Sequence, residues 1–182
     1  MLGPDIFNKS ILKLKRSDGV LTRTEIEALI LLEKITNPAT CRIFTQVHLL
    51  QIIDIDQKII ENTLNLNHVL KGRRERETYK LTEYWRHQLG HKSVDFLVCS
   101  KDTTNVYFGI EIDGPSHANP KQQEWDDIKD RCFKMAKIPL VRFLNKEISN
   151  VKGNVKTEEF KDLLKERIKE SMIAIVDFHE EK

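Results

Sequence analysis

Residues 93–113, SVDFLVCSKDTTNVYFGIEID, decide the fold of this chain. Apolar side chains alternate with other residues along 94–99 and again along 106–113, and a polar stretch, 100–105, separates the two runs. Alternation with a period of two is typical of strands, and a short polar connection between two such runs is typical of a hairpin. The segment therefore predicts two antiparallel strands joined by a tight connection.

Three acidic residues interrupt these apolar strands: Asp95, Glu111 and Asp113. A buried carboxylate without a partner raises its pKa or finds a cation. Glu111 and Asp113 are two residues apart and share a face, while neighbouring strands lie ~4.8 Å apart, so Asp95 converges with Glu111 if the register sets them opposite. Carboxylate oxygens favour Mg²⁺ or Mn²⁺, which predicts one shared divalent cation.

Helices are predicted on both sides of this hairpin in the chain. Thr22 and Glu25 are spaced as in a capping box, ahead of an apolar run that predicts a largely buried helix. Asn119-Pro120 predicts the start of a second helix, whose inward-facing residues would be Trp125, Ile128, Cys132, Phe133 and Ala136. Lys129 falls within that apolar stripe, where a solvated lysine is not expected.

The remaining segments complete an α/β fold. Residues 42–49 and 138–143 predict strands, and residues 157–175 predict an amphipathic helix that buries Phe160, Leu163, Leu164, Ile168 and Met172. Residues 54–92 predict a helical insertion, in which seven basic and three acidic residues between 71 and 92 leave a local excess of +4. The order is αβββαβ, which predicts a mixed central sheet flanked by helices.

Length and composition fit one globular domain. The chain has 182 residues, 40% hydrophobic and 32% charged, and we expect a single domain over 1–182 with a core at about 21–144, the insertion at 54–92 and a helical extension at 145–182. The net charge of +2 requires any nucleic-acid surface to be local. The odd number of cysteines, Cys41, Cys99 and Cys132, predicts core residues and no disulfide framework.

No apolar run approaches the ~20 residues of a bilayer span, and residues 1–10 lack the apolar core of a signal peptide. We therefore expect a cytoplasmic protein without a membrane partner.

Several of these segments together resemble the PD-(D/E)XK nuclease superfamily, and more narrowly a bacterial family of uncharacterised very-short-patch-repair-like endonuclease domains. The segments that carry the resemblance are Val94-Asp95-Phe96, Ile110-Glu111-Ile112-Asp113-Gly114 with Ser116-His117, Asp126 with Lys129-Asp130, and Pro139-Leu140-Val141-Arg142. The resemblance covers residues 21–144. It implies a restriction-endonuclease-like fold and Mg²⁺-dependent or Mn²⁺-dependent cleavage of DNA.

The resemblance also implies roles for individual residues. Asp95 and Glu111 would bind the metal, with Asp113 either a third ligand or a hydrogen-bond partner of the following turn. The superfamily's lysine, two residues after the glutamate, is Asp113 here. Some members carry this lysine on the next helix. By this resemblance, Lys129 would position the attacking water or stabilise the transition state.

Residues around the predicted ligands have two interpretations each. Glu25 either caps its helix or faces the metal, and His117 is either an orienting or proton-transferring residue or an ordinary loop histidine. Asp126 is expected to form an ion pair with Lys129 on its own helix, and Arg142 is a candidate partner of the carboxylates. The predicted nucleic-acid contacts either form a solvated helix face or grip the phosphodiester backbone: Lys71, Arg73, Arg74, Arg76 and Arg86.

Two hypotheses follow. The first is a metal-dependent endonuclease acting on DNA. The alternative is a catalytically inactive module with the nuclease fold that binds nucleic acid or a protein partner. An RNase H-like nuclease ranks third, because it needs carboxylates on other elements and gives Lys129 no role. The choice between DNA and RNA, the preferred substrate and homodimer formation stay open.

Overall fold

The computed structural model describes residues 20–67, 70–114, 120–149 and 155–180. The elements in chain order are α1 (Arg23–Ile35), β1 (Cys41–His48), a 3-10 turn (Leu49–Gln51), α2 (Gln57–Leu66), α3 (Lys71–Gly90), β2 (Ser93–Ser100), β3 (Val106–Asp113), α4 (Pro120–Met135), β4 (Leu140–Leu144), α5 (Asn145–Ser149) and α6 (Val155–Glu180). The predicted α/β order, with helices inserted after the first strand, is confirmed. The C-terminal helix is longer than predicted.

The four strands form one mixed sheet in the order β1-β2-β3-β4. Strands β1 and β2 pair antiparallel, as do β2 and β3, whereas β3 and β4 are parallel. The predicted hairpin is therefore confirmed, and α4 makes the crossover that a parallel pair requires. The register pairs Phe96 with Ile110 and Glu111 with Arg142. This register brings the polar positions of three strands to one region of the sheet.

Both faces of the sheet are covered by apolar clusters. One cluster joins α1, α5 and α6 to the sheet: Ala28, Leu31, Leu32, Phe96, Ile110, Val141, Phe143, Ile148, Phe160 and Leu164. The other joins the 3-10 turn, the end of α3 and α4: Leu49, Leu89, Val94, Leu97, Cys99 and Phe133. Burial on two sides explains why β2 is apolar at nearly every position apart from Asp95.

Gly109 sets how closely α4 approaches the sheet. A Cβ atom at this position would lie 2.7 Å from Cε1 of Phe133, so a larger residue would push the helix away. Glu111 follows Gly109 by two residues on the same strand face, and Lys129 precedes Phe133 by one helical turn. The close contact between Gly109 and Phe133 therefore holds Lys129 against Glu111.

Several predicted core positions are wrong. Trp125, Ala136 and Met172 are exposed, whereas Ile175 takes the buried place on α6. Helix α1 buries one face and leaves Ile26 and Ile30 exposed, so it is an ordinary amphipathic helix and not a largely buried one. Among the cysteines, Cys99 is buried as predicted, whereas Cys41 and Cys132 are only half-buried. No helix within the described ranges is long and apolar enough to cross a bilayer.

Candidate active site

Asp95 sits in β2 between two fully buried side chains. Its Oδ2 atom accepts a hydrogen bond of 2.8 Å from the backbone N–H of Ile112 on β3. Ile112 directly follows Glu111 in β3. This hydrogen bond therefore fixes the Asp95 side chain close to Glu111 on the neighbouring strand. The convergence that the sequence predicted for these two carboxylates is therefore supported by the hairpin register.

Gln46 is a member of this cluster that sequence reasoning missed. It lies in β1 between the pairs Thr45–Phe96 and Val47–Val94, and its φ of 53° is left-handed. This region is costly for a residue other than glycine, and such strain is found where function requires it. The only sign in the sequence is a polar amide inside a strand, which period-two alternation alone explains equally well.

The Gln46 side chain connects two carboxylates. Its Nε2 atom donates to Glu25 Oε1 at 2.9 Å and to Asp95 Oδ1 at 3.2 Å. Glu25 also completes the capping box of α1, because its Oε2 accepts from the backbone N–H of Thr22. The capping role of Glu25 is therefore confirmed, and its other oxygen meets Gln46, while its role in facing a metal stays a prediction.

Glu111 is buried and paired with Lys129. Lys129 Nζ donates to Glu111 Oε2 at 2.7 Å, and the side chains are only 12% and 7% exposed. The other oxygen, Oε1, is buried and has no hydrogen-bond partner among the residues that the structure describes. A buried polar atom without a partner is rare in folded proteins and calls for an explanation such as an ion, a water molecule or a catalytic role.

The environment favours the neutral forms of both carboxyl groups. Burial raises the pKa of Glu111 to about 7, against the lowering effect of Lys129, and the charge of Asp95 raises it further. Burial also raises the pKa of Asp95, opposed by the hydrogen bond from Ile112 and supported by the charge of Glu25. Two neighbouring carboxyl groups with raised pKa values are typical of a site that gains from binding a cation.

The raised pKa of Glu111 predicts a pH-dependent stability. The folded state holds the proton more tightly than the unfolded chain, so this contribution is present in acid and is lost as the pH rises from the ordinary pKa of 4.5 through about 7. Compared with Glu111→Gln in metal-free buffer, the wild type should lose on the order of 2 kcal/mol between about pH 5 and pH 8. Urea unfolding of both proteins across this range measures it. A constant difference, or a gain with rising pH, would contradict the prediction.

Arg142 on β4 pairs with three aspartates, one on the neighbouring strand β3 and two on α4, and so ties α4 to the sheet. Its Nη1 atom lies 3.1 Å from Asp113 Oδ1 and 3.4 Å from Asp126 Oδ1, and its Nη2 lies 3.0 Å from Asp130 Oδ1. The predicted ion pair between Asp126 and Lys129 is wrong, because Lys129 points at Glu111 on the sheet and Asp126 meets the arginine on β4. The role of Asp113 as a metal ligand stays a prediction, and the structure pairs its carboxylate with Arg142.

The predicted nucleic-acid residues all lie on α3. Lys71, Arg73, Arg76 and Arg86 are exposed, and Arg74 is half-buried. Lys92, the last cation of the predicted basic run, is buried and donates to the carbonyl of Gln88 at 2.8 Å. His117 lies outside the described residues, as does the turn after Gly114.

The cluster fits a small divalent cation on the side of Glu111 Oε1. Within the described ranges, no three Asp, Glu, His or Cys side chains are grouped closely enough to form a complete metal cage. Mg²⁺ does not require one, since it takes one or two protein carboxylates and fills its other positions with water and phosphate oxygens. Glu111 and Asp95 supply such a pair, and the unpartnered oxygen of Glu111 is the atom that would bind the cation.

A family model described as a protein of unknown function (DUF2726) matches residues 17–163. The comparison with curated proteins and the comparison with solved structures each gave no match. The matched segment contains all four sheet strands and the residues Glu25, Gln46, Asp95, Glu111 and Lys129. Because it covers well over half of the chain, this protein belongs to the DUF2726 family.

Proposed function

We propose that this protein is a divalent-metal-dependent phosphodiesterase that cleaves DNA, built on a restriction-endonuclease-like core. The observation that carries the proposal is the buried Glu111 carboxylate, which has one oxygen on Lys129 and the other without a partner, beside Asp95. Few buried carboxylate oxygens in folded proteins lack a partner, so this oxygen is the place at which a cation would bind.

Asp95 and Glu111 would hold Mg²⁺ or Mn²⁺, with the Gln46 amide and the Ile112 N–H keeping Asp95 oriented. The cation, when bound, supplies Lewis-acid polarisation of the scissile phosphate and offsets its negative charge. Because binding requires ionised carboxyl groups, the raised pKa of Glu111 makes metal affinity and cleavage rise with pH through about 7.

Lys129 brings a fixed positive charge to the same place. Its ammonium is held by Glu111 Oε2 and keeps further N–H donors for an attacking water or for the phosphoryl oxygens that gain charge. Asp113 occupies the superfamily's usual lysine position but is paired with Arg142. Lys129 therefore takes the role of the displaced lysine, and Arg142 holds the helix that presents it.

The basic residues at the start of α3 are proposed to contact the DNA backbone; Arg73 and Arg76 are exposed, and Arg74 is half-buried. Reversing the charge of Arg73, Arg74 and Arg76 should weaken binding and reduce the slope of log affinity against log salt by about one unit for each phosphate that the variant no longer binds. Fluorescence anisotropy with a labelled duplex at several salt concentrations measures this. The matched control reverses Lys161, Lys165 and Lys169 on α6, which changes the net charge equally. Equal slopes for the two variants would show that this part of α3 is a solvated helix face that does not bind DNA.

The function itself is tested by incubating the purified protein with supercoiled plasmid and with short labelled duplexes and single strands in Mg²⁺, Mn²⁺ or EDTA. We expect nicked or linear products with the metals and intact substrate with EDTA. Cleavage in EDTA at the same rate would contradict a metal-dependent mechanism. DNA binding without cleavage in any metal would instead support the inactive binding module.

A further inference from the structure

The two tryptophans of the chain, Trp85 and Trp125, line one groove between α3 and α4. Their residues are 40% and 46% exposed, which is unlike the packing role that indole rings usually have. The groove has a volume of about 760 Å³, within the roughly 300–1,000 Å³ typical of small-ligand sites. Both rings are therefore available to a ligand, in contrast to the core position predicted for Trp125.

The groove lies next to the candidate active site. Trp125 precedes Lys129 by four residues, about one helical turn, and Ile128 between them is part of the groove wall. On the other wall, Lys92 places its ammonium 5.2 Å from the centre of the Trp125 ring.

The lining selects the kind of ligand. The groove wall combines the two indoles with Tyr84 and with two imidazoles, His87 and His91. An aliphatic peptide side chain would be matched better by an aliphatic wall. Its charges nearly cancel, with Lys92 and Arg131 opposed by Glu124 and Asp127. A phosphate cluster would need a net positive wall. A flat, neutral aromatic ring needs an exposed ring to stack on. Trp85 and Trp125 are both partly exposed, and the Lys92 ammonium lies over one face of Trp125.

We propose that this α3–α4 groove holds an unpaired nucleobase of a nucleic acid whose backbone reaches Glu111 and Lys129. The inference rests on the proposed function and narrows its substrate to nucleic acid with a single-stranded or unpaired nucleotide near the cut. Stacking on tryptophan tolerates any base, so the groove selects structure and not sequence.

Intrinsic tryptophan fluorescence tests this directly, because every tryptophan in the chain lines the groove. The Glu111→Gln variant in EDTA prevents cleavage during the titration. A short oligothymidylate should quench the emission, whereas an abasic strand of equal length and charge, and a blunt duplex, should leave it nearly unchanged at the same salt concentration. Equal quenching by the abasic strand, or none by the oligothymidylate, would overturn the proposal.

Two variants provide an independent measurement. Trp125→Leu and Trp85→Leu should each weaken oligothymidylate binding about tenfold by anisotropy and leave duplex binding unchanged. The matched control is Tyr107→Leu, which removes an equally exposed aromatic ring on β3, outside the groove. Circular dichroism confirms that each variant is folded. Unchanged affinity in both tryptophan variants would overturn the proposal.

The results separate this proposal from the proposed function. If the wild type cleaves plasmid with metal but oligothymidylate does not quench its fluorescence, the nucleobase site in the groove is rejected and the proposed nuclease activity stands. If quenching requires the bases but no metal supports cleavage, the nucleobase site in the groove is supported and the proposed nuclease activity is rejected.

Discussion

Glu111→Gln should abolish DNA cleavage and still give a folded protein. Folding is expected because the pKa of Glu111, raised to about 7 by burial, means that the folded state already accepts the neutral acid, which glutamine resembles in shape. Cleavage should be lost because the substitution removes the anionic oxygen that has no partner within the described ranges and would bind the cation. Asp95→Asn should have the same effect. Single-turnover assays with labelled DNA measure the loss, which we expect to reach the detection limit.

The matched control is Glu147→Gln. Glu147 is also a partly buried glutamate in an ion pair, with Arg167 at 2.6 Å, but it lies with α5 and α6 and not with the Asp95–Glu111 cluster. This variant should lose some stability and cleave at the wild-type rate. Cleavage by Glu111→Gln at the wild-type rate, with the same metal requirement, would show that Glu111 is not a ligand.

Lys129→Met should slow single-turnover cleavage by on the order of a hundredfold or more. Methionine keeps much of the side-chain volume within the α4 stripe and removes the ammonium that touches Glu111. Divalent-metal binding should persist, because removing a cation from beside two carboxylates favours another cation. The rate must therefore be measured with metal at saturation, so that the chemical step alone is compared.

Lys134→Met on the same helix is the control, since Lys134 is half-buried five residues later and lies in the wall of a different cavity, which Arg167 and Ser171 also line. It should cleave like the wild type. If Lys129→Met loses metal binding or the fold without a separate effect on the chemical step, Lys129 is a structural counter-ion. Undiminished cleavage would remove it from the mechanism.

The hairpin and the order of helices and strands along the chain could be predicted because local patterns determine them. The hairpin over residues 93–113 shows alternation on both strands, and the Thr22–Glu25 capping box marks the start of α1, where both capping hydrogen bonds form. The position of Lys129 within an apolar helical stripe was enough to predict that it faces the sheet, and its contact with Glu111 confirms this.

Other features depend on contacts between distant segments. Nothing near Gln46 in the sequence predicts a left-handed backbone, which follows from the place of β1 opposite Asp95 and near Glu25. The ion pairs of Arg142 with residues on β3 and α4 depend on the parallel pairing of β3 and β4. Helical spacing likewise placed Trp125 inward, whereas the end of α3 leaves it beside an open groove.

The measurement that tests the central claim most directly is Mn²⁺ binding followed by electron paramagnetic resonance at about pH 8, where Glu111, with a pKa of about 7, is ionised. Protein-bound Mn²⁺ loses the sharp signal of the aqueous ion, so the bound fraction is read without any nuclease assay. The wild type and Lys129→Met should bind Mn²⁺ in competition with Mg²⁺, and Glu111→Gln should leave the ion free. A wild type that binds no Mn²⁺, or a Glu111→Gln variant that binds it equally well, would contradict the metal site at Glu111.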